Sequence, residues 1–289
     1  MTTENTEFPE NSIIISNTIL YMFSSSRIVY INSEERLTGT NEDFTVALSM
    51  SPNEDYDRCC VLYGMIPISY YLVDSNNNTF TLREGAVNTV ISIPIGNYSA
   101  NSFATVVTGL LNTVSPNHWV YAISLNNTFT KASDGKFYFT VTGNSSQPSF
   151  IFTNHLYEQF GFSKNSTNTF VSNALVSTYV LSFIPETAVY LHSDIVDTKD
   201  NNGTSMLQEF YGENSVSFSN IVYQCKTVEE YSKPLKKGFS NSISFTLIDQ
   251  HGGTLNLNGR PFFITLLLYK SNDFFDIIKR YIKLNLLNS

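Results

Sequence analysis

SRIVYINSEERLTGTNEDFTVAL, residues 26–48, decides how the rest of the chain is read. Its first part crowds the β-branched and aromatic residues Ile28, Val29, Tyr30 and Ile31, and in its last part Phe44, Val46 and Leu48 alternate with Thr45 and Ala47. Such side chains suit a pleated, half-buried surface, and a period of two sends one set inward. Between the strands, Asn32, Ser33, Gly39, Thr40 and Asn41 supply turn chemistry, while Glu34, Glu35, Arg36, Glu42 and Asp43 keep the connection in water. The stretch predicts two strands joined by a solvated polar loop.

Working outward, the same signature recurs. Ile13–Phe23 reads as an earlier strand, preceded by a polar arm, residues 1–12. The run from Asp57 to Val73 is strand-like throughout, with a kink expected at Pro67, which cannot donate to a ladder. Asn76, Asn77 and Asn78 turn the chain, and Phe80–Leu82 with Val90–Ile95 read as a hairpin around Glu84 and Gly85. The period then changes. Behind Ser99 or Asn101 as cap, Phe103, Val106, Val107, Leu110 and Leu111 recur at helical spacing until Pro116. Strands resume at Trp119–Leu125, Lys136–Thr142 and Phe150–Phe152. A short helix from Asn154 to Phe160 ends at Gly161, which suits a left-handed cap.

Beyond the polar run SKNSTNT, strands are expected at Thr178–Ile184, Ala188–Val196, Val216–Tyr223, Ser242–Ile248 and Pro261–Tyr269. Excluding the middle segment, this makes eight or nine strands, the number a jelly roll needs. The fold class is therefore mainly β. A single jelly-roll sandwich, residues 13–87 and 171–272, carries a small inserted α/β subdomain, residues 88–170. An amphipathic helix over residues 273–289 closes the chain, with Phe274, Ile277, Ile278, Tyr281, Ile282 and Leu286 on its apolar side.

The order of these pieces carries a resemblance. A strand, then N-S-x-x-R-L-x-G-T, then D-F-T-V-x-L resembles the N-terminal region of the penton, or minor capsid, proteins of virophages and Polinton-like viruses. IPISYYLV (66–73), NNTFTL (77–82), PIGNYS (94–99), the helical run ending in Phe160-Gly161-Phe162, and NLNGRP (256–261) resemble elements of that family in the same order. The resemblance implies a capsid protein of the virion, assembled inside the host cell as a homopentamer at the vertices of an icosahedral capsid. It further implies that the pentamer's outer wall meets a double jelly-roll major capsid protein and that the insertion projects outward.

Composition narrows the classes. Of 289 residues, 14% are aromatic, with 22 Phe and 17 Tyr, and only 15% are charged, so much apolar surface must be placed, some of it against other subunits. The net charge is −8, and apart from Lys233, Lys236 and Lys237 there is no basic cluster, which argues against nucleic acid as a partner. Apolar runs are strand-length, so no membrane span is expected. Cys59 and Cys60 are adjacent and cannot readily pair; with Cys225 they read as reduced thiols. Sequons occur at Asn77, Asn97, Asn126, Asn144, Asn165 and Asn202, but MTTENTEFPENS lacks signal-peptide character, so no glycans and no secretion are expected.

Chemistry is sparse. His118, His155, His192 and His251 lie on different elements with no HExxH, CxxC or GxSxG pattern around them, so the chain reads as no enzyme, with no catalytic residue, no cofactor and no metal site. His192 and Asp194 share a strand face and read as a surface pair. In the loop DTKDNNG (197–203), Asp200, Asn202, Gly203 and Glu209 match part of a calcium-loop spacing, but Thr198 occupies the first ligand position, so an ordinary turn is expected. Gly252 and Gly253 follow one strand and precede another, a hairpin turn and not a phosphate cradle. The competing reading of the aromatics and Asn-rich loops is a soluble carbohydrate-binding or adhesin sandwich.

Overall fold

The computed structural model describes residues 25–49, 54–126, 133–184, 188–199, 203, 205–212, 218–237 and 241–271. The expected arm, the strand Ile13–Phe23 and the C-terminal helix over residues 273–289 lie outside them.

The deciding stretch forms β1 (Ser26–Asn32), a 3-10 turn (Ser33–Glu35), β2 (Thr38–Gly39) and β3 (Asp43–Ala47). β1 and β3 belong to different sheets, so the polar loop is a corner between layers. Arg36 locks it, donating to the carbonyls of Ser33 (2.9 Å) and Gly39 (2.9 Å) and to Asn41 Oδ1 (2.7 Å). Ser33 is fully buried, yet its Oγ accepts from the Phe262 N–H (3.0 Å) and lies 3.3 Å from Asn41 Oδ1, as a buried polar group requires. Gly39 has φ 95°, and a Cβ there would sit 2.1 Å from the Asp43 carbonyl oxygen, so the turn takes only glycine. β4 (Arg58–Pro67) follows. It ends at Pro67, where the expected reading had a kinked strand running on to Val73; proline has no N–H with which to extend the ladder.

The chain then leaves the sandwich. β5 (Thr79–Glu84) and β6 (Val87–Ser92) pair as the expected hairpin. α1 (Ala100–Val114) is held by a reciprocal cap: Ser99 Oγ accepts from the Ser102 N–H, and Ser102 Oγ accepts from the Ser99 N–H. β7 (Val120–Asn126), β8 (Ser133–Thr142), β9 (Ser149–Ile151), α2 (Tyr157–Phe160), β10 (Thr167–Thr169) and β11 (Ala174–Val176) complete the unit, and Gly161 takes the left-handed cap at φ 69°. The sheets run β10-β9-β5-β6 and β11-β8-β7. Their common core holds Phe80, Phe103, Phe137, Phe139, Phe150, Phe152, Phe160, Phe162 and Phe170. Glu84 is buried beside it, accepting hydrogen bonds from Ser115 Oγ (2.7 Å), Tyr121 Oη (2.8 Å) and the Asn117 N–H (3.1 Å). The last residue of β5 before the hairpin turn is thus the anchor of a polar network.

This core corrects the domain boundaries. Val73, Phe80, Leu82 and Ile91 belong to it, and Leu181 and Phe183 pack against it. The insertion therefore runs from Val73 to Phe183 rather than over 88–170. A boundary at 88 cuts the β5–β6 hairpin, and one at 170 discards β11. The expected strand Thr178–Ile184 is absent because its backbone bonds scatter: Tyr179 N–H donates to the Gly161 carbonyl, Leu181 to Gly135 and Ser182 to Glu158. No ladder forms when successive N–H groups address different segments.

Returning, the chain forms β12 (Ala188–Ser193), β13 (Met206–Tyr211), β14 (Asn220–Gln224), α3 (Val228–Tyr231), β15 (Lys233–Pro234), β16 (Ser242–Ile248) and β17 (Phe263–Tyr269). The first sheet is β1-β17-β4-β14 with β15 beside β4; the second is β13-β12-β16-β3-β2; every pair in them is antiparallel. Among the eight longer strands taken in chain order, the sheets read first-eighth-third-sixth and second-seventh-fourth-fifth. That is jelly-roll topology, with the insertion between the third and fourth strands. β13 went unpredicted because a register shift in its pairing with β12 buries Leu207 and Gln208 together and spoils the alternation.

Gly64, in the middle of β4, fixes the distance between the layers. A Cβ there would lie 2.5 Å from Cε1 of Phe210 on β13, a fully buried ring that has Tyr223 edge-on at 5.4 Å. Gly64→Ala is therefore expected to destabilise the sandwich by about 1–3 kcal/mol through overpacking, measured as a lower urea midpoint at unchanged slope.

Candidate functional site

A jelly roll has two sides where the layers' edge strands meet. Among the described residues, β1 ends the first sheet and β2 the second on one side; on the other, β14 and β13 do so. Each side presents apolar side chains to solvent. By β1 these are Ile28, Tyr30 (78% exposed) and Leu37; by β13 and β14 they are Tyr211, Val222 and, in a left-handed turn, Phe218 (75% exposed). Pairing register continues the apolar surface across the outer face of the first sheet, since Tyr30 stands opposite Thr265 and Thr265 opposite Tyr63. α3 covers part of that face, where Cys60, Leu267 and Tyr269 are buried under Val228. Between the edges of β13 and β14 lies an open groove of about 660 Å³, lined by Gln208, Glu209, Tyr211, Tyr223, Gln224 and Tyr231 among others. Sequence periodicity marks which residues leave the core, but not that the exposed ones gather at opposite edges.

A second feature lies at the junction of insertion and sandwich. His155 and Glu158 come from the α2 segment, and His251 from the turn between β16 and β17. The two imidazoles stack with centroids 3.7 Å apart and planes 22° apart, and His251 Nε2 lies 3.5 Å from Glu158 Oε1. Burial holds His155 below the ordinary imidazole range, with His251 and Lys164 adding to the effect and Asp249 and Glu158 opposing it. Asp249 shapes the turn: its Oδ1 accepts from the N–H groups of His251 (2.8 Å) and Gly253 (2.7 Å). The Gly252-Gly253 segment is accordingly the turn expected.

The remaining sequence candidates are dispersed. His118 is exposed in a turn at φ 56°, its N–H donating to the Ser115 carbonyl (3.1 Å). Asp194 Oδ1 accepts from the Ser244 N–H (2.9 Å), a structural tie between β12 and β16. Cys59 faces the sandwich core, where burial pushes its thiol up to about 12. Cys60, on the opposite face, has its Sγ 3.6 Å from that of Cys225, and all three cysteines are free. Of the loop 197–203, residues 200–202 lie outside the described ones; Glu209 sits in β13 opposite Tyr190. No helix among the described residues is long and apolar enough to cross a membrane.

No protein-family model matches the chain, nor does any curated protein. Among solved structures, the penton protein of mavirus aligns with 85% of this chain and 100% of its own, at 11% identity and a TM-score of 0.42. Two domains of the flagellar cap protein of Escherichia coli align with 78% of this chain and 100% of their own, at 10% identity and a TM-score of 0.20. At such values the fold rests on the chain's own sheet order.

Proposed function

We propose that this chain is a structural capsid protein that closes with copies of itself into a homopentameric penton at the vertices of an icosahedral virion. The observation that carries the reading is the pair of unlike apolar edges, one at β1 and β2, the other at β13 and β14. A cyclic ring is built by head-to-tail contact, in which one patch on each subunit meets a different patch on the next. Opposite sides of a sandwich supply two such patches. The ordered sequence elements from residue 26 to residue 269 support the same assignment, and with it a double jelly-roll major capsid protein as the outer neighbour. In this reading the chain does mechanical rather than enzymatic work.

The groove beside β13 favours one other reading, because Tyr211, Tyr223 and Tyr231 with Gln208, Glu209 and Gln224 offer the stacking faces and polar groups that sugars bind. Analytical ultracentrifugation separates the two. A penton is expected to sediment as a species of five times the 32.5 kDa chain mass, and Tyr30→Glu should shift it toward monomer while far-UV circular dichroism shows the chain still folded. A chain that stays monomeric, fails to join particles with a major capsid protein and is retained on immobilised glycans would overturn the capsid reading.

A further inference from the structure

We infer that His155, Glu158 and His251 form a binding site for a divalent transition-metal cation of zinc type, which ties the insertion to the sandwich. Their ligand atoms all lie within 4.8 Å of one another. With bonds of about 2.0 Å in tetrahedral geometry, neighbouring ligand atoms stand about 3.3 Å apart, so small side-chain rotations close the set around an ion. Two imidazoles and one carboxylate suit zinc, cobalt or nickel, whereas calcium requires six or more oxygens.

The surroundings fit an ion rather than a substrate. The cluster opens into a cavity of about 60 Å³, room for a cation and a water or two. Two of the residues that line it carry a buried polar atom with no hydrogen-bond partner among the described residues, His155 Nδ1 and Gln159 Oε1. Gln159 is 4% exposed, so the unmet acceptor is deep in the protein. Leaving such atoms unpaired is costly, and an ion with its bound water would satisfy them.

The backbone already holds the ligands in place. His155 and Glu158 are three residues apart across a helical turn, closed by the Glu158 N–H donating to the His155 carbonyl (3.1 Å), which sets both side chains on one side. The Asp249 carboxylate fixes the His251 turn. Glu158 and Asp249 supply negative charge, which Lys164 opposes. Because the ligands come from two units of the fold, binding restricts their relative motion as well as adding local bonds.

The full chain, stripped with EDTA, is titrated with zinc chloride by calorimetry and with cobalt chloride by visible absorption. One zinc per chain is expected, with cobalt giving the intense bands of a tetrahedral site and saturating zinc raising the melting temperature by several degrees. His155→Ala and His251→Ala should each weaken binding by at least about tenfold, while His118→Ala leaves it unchanged. Far-UV circular dichroism checks folding. If an alanine variant unfolds, zinc protection of His155 and His251 from diethyl pyrocarbonate, read by peptide mass on the unaltered chain, decides the matter. No saturable binding at about 100 µM zinc, or binding that survives loss of both histidines, overturns the proposal.

Discussion

Replacing residues 88–170 with a Gly/Ser linker is expected to yield an insoluble or molten product, whereas replacing residues 73–183 leaves a chain that folds. The shorter excision looks safe in the sequence, where the helical period begins only after Ser99. It would strand β5 with Phe80 and Leu82, and the segment holding Leu181 and Phe183, after removal of the core that buries them. Exposed aromatic and leucine surface of that kind promotes association. The longer excision removes the second core whole. The sandwich keeps its own, in which Ile66, Ile68, Val189, Phe210, Phe245 and Leu266 pack together across the gap in sequence. Its cut ends are near each other, since Leu72 and Ile184 line one small cavity, so a short linker costs on the order of 1–2 kcal/mol in closure. Thermal melts followed by circular dichroism decide between the two products. A cooperative transition in the shorter excision and none in the longer would reject the boundaries at Val73 and Phe183.

Phe160→Ala is expected to cost about 4 kcal/mol, a large part of the roughly 5–15 kcal/mol that stabilises a typical domain. Its ring lies within stacking or edge contact of five others: Phe80 and Phe152 at 4.9 Å, Phe103 at 5.2 Å, Phe139 at 6.0 Å and Phe150 at 6.1 Å. Truncation leaves a cavity at the meeting point of β5, β8, β9 and α1, which none of those elements can fill without leaving its sheet or helix register. Since the two cores are separate, the melting curve should split, with the insertion unfolding first and the sandwich near its original temperature. A single transition displaced by less than a degree or two would mean that the phenylalanine cluster is not the insertion's core.

How much of this was legible depends on the range of the determinant. The cap at Ser99, the stop after Val114 and the left-handed Gly161 are local and were readable, because each depends on residues within one or two turns. Strand positions such as Ser242–Ile248 were readable from alternation. Membership was not: β5 and β4 look alike in sequence, and only the three-dimensional partners of Phe80 and Ile66 assign one to each core. The hairpin at Glu84 was readable but its polar network was not, because its three donors lie 31 to 37 positions away. The His155 and His251 rings meet across 96 positions, and no spacing rule reaches that far.

The place of the insertion also sets an order of events during synthesis. Among the described residues β1 pairs with β17, its neighbour in the first sheet, and the residues that meet, such as Tyr30 and Thr265, are separated by most of the chain. The insertion, by contrast, is contiguous and complete as soon as Phe183 has left the ribosome. It can condense while β1, β3 and β4 still wait for their partners, since local units form early and distant pairings late. For that interval the nascent chain is a finished globule preceded by β1, β4 and the β2–β3 pair, each lacking the strands that will complete its sheet. The folded insertion then acts as a bulky neighbour to those strands, one that hinders contact between chains on the same message before the last strand arrives to shut the sheet.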